Sequence, residues 1–190
     1  MTLNEYLSSK TKDSDRIRQI KASLETFLFV NFSASFATEL SGYLEKAKFN
    51  LKSRKDDVVA MTYSNTEIMI NTNMFFARST EEQMAYITHE LIHISERKGN
   101  HKVKTLNRKL WDFYNTNKIP GTDVSMVMVG KPRISRRWVN KHECVNYLLT
   151  EKVHFEYLEP GSYDEFMGLL EKSGLFKLNS QFWRKRLSFT

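Results

Sequence analysis

The chain has 190 residues, with 29 lysines and arginines against 22 acidic residues, a formal charge of +7, one cysteine, 3 prolines and 7 glycines. That length suits a single domain with a real core, and one cysteine excludes an internal disulfide framework and points to a reducing compartment. With 41% apolar and 13% aromatic residues the composition excludes a disordered chain, and its low Pro and Gly content excludes collagen-like and linker-rich sequences.

The longest apolar stretch, residues 27–37, is interrupted by Asn31, Ser33 and Ser35 and falls short of the roughly 20 residues a membrane span needs. The first residues carry Glu5, Lys10, Lys12, Asp13 and Asp15 rather than an apolar signal core. A cytoplasmic protein is expected, and the charge surplus favours anionic partners.

In chain order, Ile17, Ile20, Leu24, Phe27 and Leu28 recur at helical spacing after Asp13-Ser14, and Phe36, Leu40, Tyr43, Leu44 and Ala47 do so after Ser33. From residue 58 the period changes. Residues 58–63 and 67–71 are short β-prone runs separated by Ser64-Asn65-Thr66, which predicts an antiparallel hairpin. A helix follows: Ser79 and Thr80 begin overlapping capping boxes, Glu81 and Glu82 fill the first turn, and Met84, Ile87, Leu91 and Ile94 form an apolar face that ends at Gly99. Beyond it, residues 104–114 read as helix, Pro120-Gly121 as a turn, and residues 124–129 as a strand or hairpin. Residues 138–151 read as a second strong helix, and Ser162 caps a short one that stops at Gly174. The tail from Phe182 mixes Arg184, Lys185 and Arg186 with aromatic residues and is expected to dock on the body or on a partner. With no repeat or linker, the expectation is one α+β, mainly helical domain over residues 1–190. Its small antiparallel hairpin lies next to the helix of residues 79–99, and helices from residues 1–50 and a helix and tail from 152–190 pack on it.

The helix that starts at Ser79 contains His89-Glu90-Leu91-Ile92-His93, an H-E-x-x-H pattern. Residues four apart share a helix face, so both imidazoles can reach one Zn2+ at about 2.0–2.1 Å with Glu90 beside them. A catalytic zinc keeps three protein ligands and lowers the pKa of its water toward about 7; Glu90 would take that water's proton and return it to a leaving amine, which is peptide hydrolysis. With 5 His and 15 Glu in the chain, shuffling would produce the pattern about once in a hundred. The plainer reading is two surface histidines on an amphipathic helix, but the motif lies mid-helix beside a core face.

A third ligand must come from elsewhere. His101 lies beyond the glycine stop, and Glu96 is on the same straight helix. His142 and Glu143 are the best candidates, and as neighbours on a helix they point about 100° apart. Glu143 shares a side with Val139, Asn146 and Tyr147, and His142 with Trp138 and Leu149; spacing alone does not choose between them. Cys144 reads as a small buried hydrophobe. Tyr147, His154 and Tyr157 are candidate oxyanion donors, although each also reads as packing or surface. Lys131, Arg133, Arg136, Arg137 and Lys141 form a basic cluster that is either a solvated face or a surface for acidic substrate or nucleic acid.

The run from Ala60 to Ile94 resembles the zinc metallopeptidase domain of bacteria and phages that is often fused to a von Willebrand factor A-like domain. The resemblance rests on Ile70-Asn71, Phe75-Phe76, Thr80-Glu81-Glu82 and the His89 motif, then on Trp138, Glu143, Asn146, Leu148 and Leu149, with Glu where the family has Asp. It covers residues 58–150. It implies a minimal zincin-like fold, Zn2+ as cofactor, His89, His93 and Glu143 as ligands, Glu90 as general base, and a peptide or protein substrate. The alternative is a non-catalytic zincin-like protein that binds nucleic acid or an acidic protein partner.

Overall fold

The computed structural model describes residues 2–132 and 139–188, with the side chains of residues 6–11 outside the description. Arg133, Arg136, Arg137 and Trp138, named above, lie outside the described residues. Helix α1 (Leu3–Asn31) begins well before Asp13-Ser14, because Thr2 and Glu5 form a reciprocal capping box. Its apolar stripe from Ile17 to Leu28 is buried as its spacing predicts. Helix α2 (Ala34–Lys46) follows and packs on α1.

The next element is a strand that the apolar periodicity does not mark, β1 (Lys48–Lys52). With β2 (Ala60–Thr62) and β3 (Glu67–Asn71) it makes a three-stranded sheet of order β1-β3-β2. The hairpin between β2 and β3 is antiparallel as expected, but β1 runs parallel to β3, with Phe49 opposite Ile68 and Leu51 opposite Ile70. The sheet is therefore mixed rather than antiparallel. Central β3 is sealed on both faces: Ile68, Met69 and Ile70 are all buried, as a strand flanked on two sides requires. Asn71, also buried, holds the segment before β2. Its side-chain amide donates to the Val58 carbonyl at 2.8 Å, and its Oδ1 accepts the Arg54 and Asn73 amides at 3.2 Å each.

After a single turn of helix, α3 (Thr72–Phe75), comes α4 (Thr80–Arg97), bounded as its caps predict: the Ser79 hydroxyl accepts the Glu82 amide, and Gly99 adopts a positive φ. Helix α4 packs on α1, α2 and β2. Helix α5 (His101–Asn117) starts at an Asn100 cap. The segment of residues 124–129 is helix α6 (Val124–Val129), not a strand. Its apolar run gives no clear period, and Gly130 decides the matter: at φ 71 it ends the helix by donating its amide to the Met126 carbonyl. The His154 ring packs against this glycine so closely that a Cβ would clash with it.

The second strong helix is shorter than its pattern suggests. Helix α7 spans Cys144–Thr150, with Glu143 at its N-cap position rather than in its interior. The Asn140 side chain accepts the His142 amide at 2.8 Å, so residues 140–143 form a turn. A 3-10 turn (Phe155–Tyr157), α8 (Tyr163–Ser173, ending at left-handed Gly174) and α9 (Gln181–Arg186) complete the chain. The tail docks on the body: Trp183 is buried and its indole N–H donates to the Asn31 carbonyl at 2.7 Å. The architecture is α+β and mainly helical. Among the described residues no helix is long and apolar enough to cross a membrane.

Candidate metal centre

Helix α4 faces α7 across the core, and this pairing brings the H-E-x-x-H pattern to Glu143. His89 and His93 project from one face of α4 with their Nε2 atoms 3.2 Å apart. Glu143 Oε2 lies 3.5 Å from His89 Nε2 and 3.4 Å from His93 Nε2. Three ligands of a tetrahedral ion, each at about 2.0–2.1 Å from it, stand about 3.3–3.4 Å apart. The triangle has that size, and its atoms are two imidazole nitrogens and one carboxylate oxygen. His89 is almost fully enclosed, whereas the His93 and Glu143 side chains keep about a fifth of their surface, 22% and 21%, so the group opens to solvent on their side.

Glu90 lies beside the triangle without being part of it. Its Oε2 accepts the Thr62 backbone N–H at 2.9 Å, which pins the carboxylate to the end of β2 and leaves Oε1 3.9 Å from His89 Nε2. Two turns further along α4, Arg97 donates to the Thr62 hydroxyl, the Ser64 carbonyl and Asn65 Oδ1. The hairpin is thus fastened to the helix at two levels, and Glu90 is one of the fasteners.

Burial pushes the Glu90 carboxyl up, and the nearby imidazoles and the Thr62 amide only partly offset it, so it stays above the usual carboxylate range. Burial also pushes Glu143 up, but hydrogen bonds and charge from His89 and His93 outweigh it and hold the carboxyl at about 2. For His93, burial favours the neutral ring, yet the adjoining Glu143 carboxylate raises it above its ordinary value. The two glutamates therefore differ: His89 and His93 hold Glu143 below the usual carboxylate range, and burial holds Glu90 above it.

Comparison with known families, curated proteins and solved structures finds no match. The chemistry of the residues themselves must then carry the functional reading.

The other candidates lie elsewhere. His142, whose side chain is largely exposed, turns its Nδ1 to Glu96 Oε1 at 2.8 Å, so these two candidate ligands satisfy each other. His101 is exposed at the start of α5. Cys144 is buried, and that burial raises its thiol, as suits a small core residue. The Tyr147 ring packs edge-on against His89 with centroids 5.7 Å apart, its hydroxyl raised by burial and by Glu143. His154 pairs with Glu156 at 3.0 Å and its ring lies tilted beside Tyr157 with centroids 6.2 Å apart, outside the group. Of the basic cluster, Lys131 and Lys141 are described and exposed.

Four supporting residues escape the sequence reading in this role. The Thr150 hydroxyl lies 2.9 Å from His89 Nδ1. Asn146 donates to the His89 carbonyl at 2.8 Å. Thr62 supplies the amide for Glu90. Asn107, from α5, accepts the Val145 amide at 2.8 Å and donates to Glu96 Oε2 at 2.9 Å and to the His142 carbonyl at 3.3 Å. Asn146 and Thr150 follow Glu143 at three and seven residues, one face of a helix, and that spacing is a signal a sequence reading can use.

Proposed function

We propose that this chain is a zinc-dependent metallopeptidase of the zincin-like kind that the segment from Ala60 to Ile94 resembles. The observation that supports it most is the triangle of His89, His93 and Glu143 at 3.2–3.5 Å with the free oxygen of Glu90 next to it. A structural site made only to hold zinc is usually closed by four ligands rich in cysteine; three His and carboxylate ligands with an open side suit a catalytic ion. When bound there, zinc supplies Lewis acidity toward water and a carbonyl.

In this reading the chain's own groups do the following. Glu90 Oε1 takes a proton from the attacking water, whose oxygen bonds to the scissile carbonyl carbon. The C–N bond then breaks, and Glu90 returns the proton to the leaving amine. Its raised affinity for a proton brings it closer to neutrality, where a base can both accept and release one. Glu143, held anionic, keeps its oxygen available as a ligand. The Thr150 hydroxyl on Nδ1 orients His89 so that Nε2 faces the group. The substrate is a peptide or protein, and the reducing compartment expected from the single cysteine is the cytoplasm.

The test is paired. Protein purified without added zinc is assayed for metal, and wild type and Glu90→Gln are compared on a mixed peptide library. One zinc per chain in both proteins, with cleavage by wild type alone, supports the proposal. Absence of stoichiometric zinc from the wild type overturns it, and zinc without cleavage favours the non-catalytic alternative.

A further inference from the structure

One cleft in the molecule lies away from the His89 group. It lies between α5 and α8, has a volume of about 240 Å³, and is lined by His101, Lys102, Leu106, Lys109, Leu169 and Lys172 among others. The space well exceeds the roughly 10–15 Å³ that a single water needs. Among the described residues no carboxylate lines it.

Lysine at a helix end commonly caps the last carbonyls, which would explain Lys172 without a ligand. That role is already filled at α8. The Ser173 hydroxyl donates to the Leu170 carbonyl, and the Gly174 amide donates to that of Glu171. Among the described residues, neither Lys102, Lys109 nor Lys172 has an acidic partner within 4.0 Å or a hydrogen bond from its ammonium group. The first turn of α5, with its partial positive charge, borders the same space through His101 and Lys102. Three lysines thus line one concave site whose floor includes the buried Leu106.

We propose that this cleft binds a phosphate group carried by an organic ligand, as in a nucleoside monophosphate or the backbone of a nucleic acid. Lysines are point donors with freely rotating N–H groups, and several of them can each take a different oxygen of a tetrahedral phosphate anion. The leucine floor receives the apolar part of the ligand. The site is independent of the zinc reading, since none of its residues touches the His89 group.

Binding is measured by calorimetry on the full chain with three probes: inorganic phosphate, adenosine 5′-monophosphate and a single-stranded deoxyoligonucleotide. Two double variants are compared, Lys109→Glu/Lys172→Glu in the cleft and Lys12→Glu/Lys55→Glu outside it; all four lysines are exposed, and each pair lowers the net charge from +7 to +3. The cleft pair is expected to weaken the organic phosphate at least about tenfold, as loss of hydrogen bonds to a charged group does. The control pair should change it by less than about twofold, and affinity should fall with salt. Tight binding of the monophosphate identifies a free phosphoester as the source; binding of the oligonucleotide alone identifies a nucleic-acid backbone. Equal loss in the two double variants assigns the binding to net charge and overturns the site, as does failure of every probe at millimolar concentration. Circular dichroism melts confirm that the variants are folded.

Discussion

The Thr150 hydroxyl stands 2.9 Å from His89 Nδ1, on the side of the ring opposite the nitrogen that meets His93 and Glu143. With Thr150 as acceptor, the ring proton is held on Nδ1 and the Nε2 lone pair faces the candidate metal. Removal of such an outer partner typically costs about 10–100-fold in metal affinity. Thr150→Val keeps the shape and removes the acceptor, so it is expected to lower zinc affinity in that range in a chelator competition titration. Unchanged affinity would show that the His89 tautomer needs no such support.

Glu143 and its neighbour His142 separate cleanly by mutation. Glu143→Ala removes one donor of the triangle and is expected to abolish stoichiometric zinc at micromolar protein. His142→Ala removes a partner of Glu96 and should leave zinc content at one per chain. Metal analysis of the two dialysed variants is the measurement. Loss of zinc only in the His142 variant would make the wrong residue the ligand.

What makes Glu143 hard to choose from sequence is a boundary. The apolar pattern of residues 138–151 reads as continuous helix, and helical phase then separates His142 from Glu143 without preferring either. The helix begins at Cys144 because Asn140 captures the His142 amide and Asn107, 38 residues earlier in the chain, caps Val145. No local spacing contains that second contact. Helix α4 is legible from both ends for the opposite reason: its cap, its acidic first turn and its glycine stop are all local, and they agree with its apolar period. Strand β1 carries a faint signal in the alternation Lys48-Phe49-Asn50-Leu51-Lys52, but its partner β3 is parallel and remote. The α6 segment misleads because Val and Met fill it almost without a break, and its helical state comes from the Gly130 stop and from Val127 and Met128 buried in the core.

Glu151, directly after Thr150, provides a test of electrostatics beside the candidate centre. Its burial raises the carboxyl above its ordinary value of 4.5, although Lys131 and Arg186 nearby pull the other way. A group whose folded value is raised contributes its stability in full below the unfolded value and loses it as pH climbs through the folded value. Ionised Glu151 is therefore a burden on the folded state at neutral pH and not at pH 4. Glu151→Gln is expected to be more stable relative to wild type at pH 7.5 than at pH 4 in urea unfolding. The reverse order would mean that Lys131 and Arg186 dominate.

Asn107 links the fold to the candidate centre most directly. It is buried, and it joins three segments: α4 through Glu96, the turn before α7 through His142, and α7 itself through the Val145 amide. Asn107→Leu keeps the volume but leaves that amide buried without an acceptor, which costs about 1–3 kcal/mol, or roughly 2–12 °C in Tm for a chain of this size. The amide lies two residues beyond Glu143, so the same change should let the carboxylate drift from the histidines. Zinc affinity is then expected to fall together with Tm, although Asn107 is not one of the ligand residues. A variant with the lower Tm and wild-type zinc affinity would show that Glu143 is placed by its own contacts with His89 and His93, and that the α5 clamp serves stability alone.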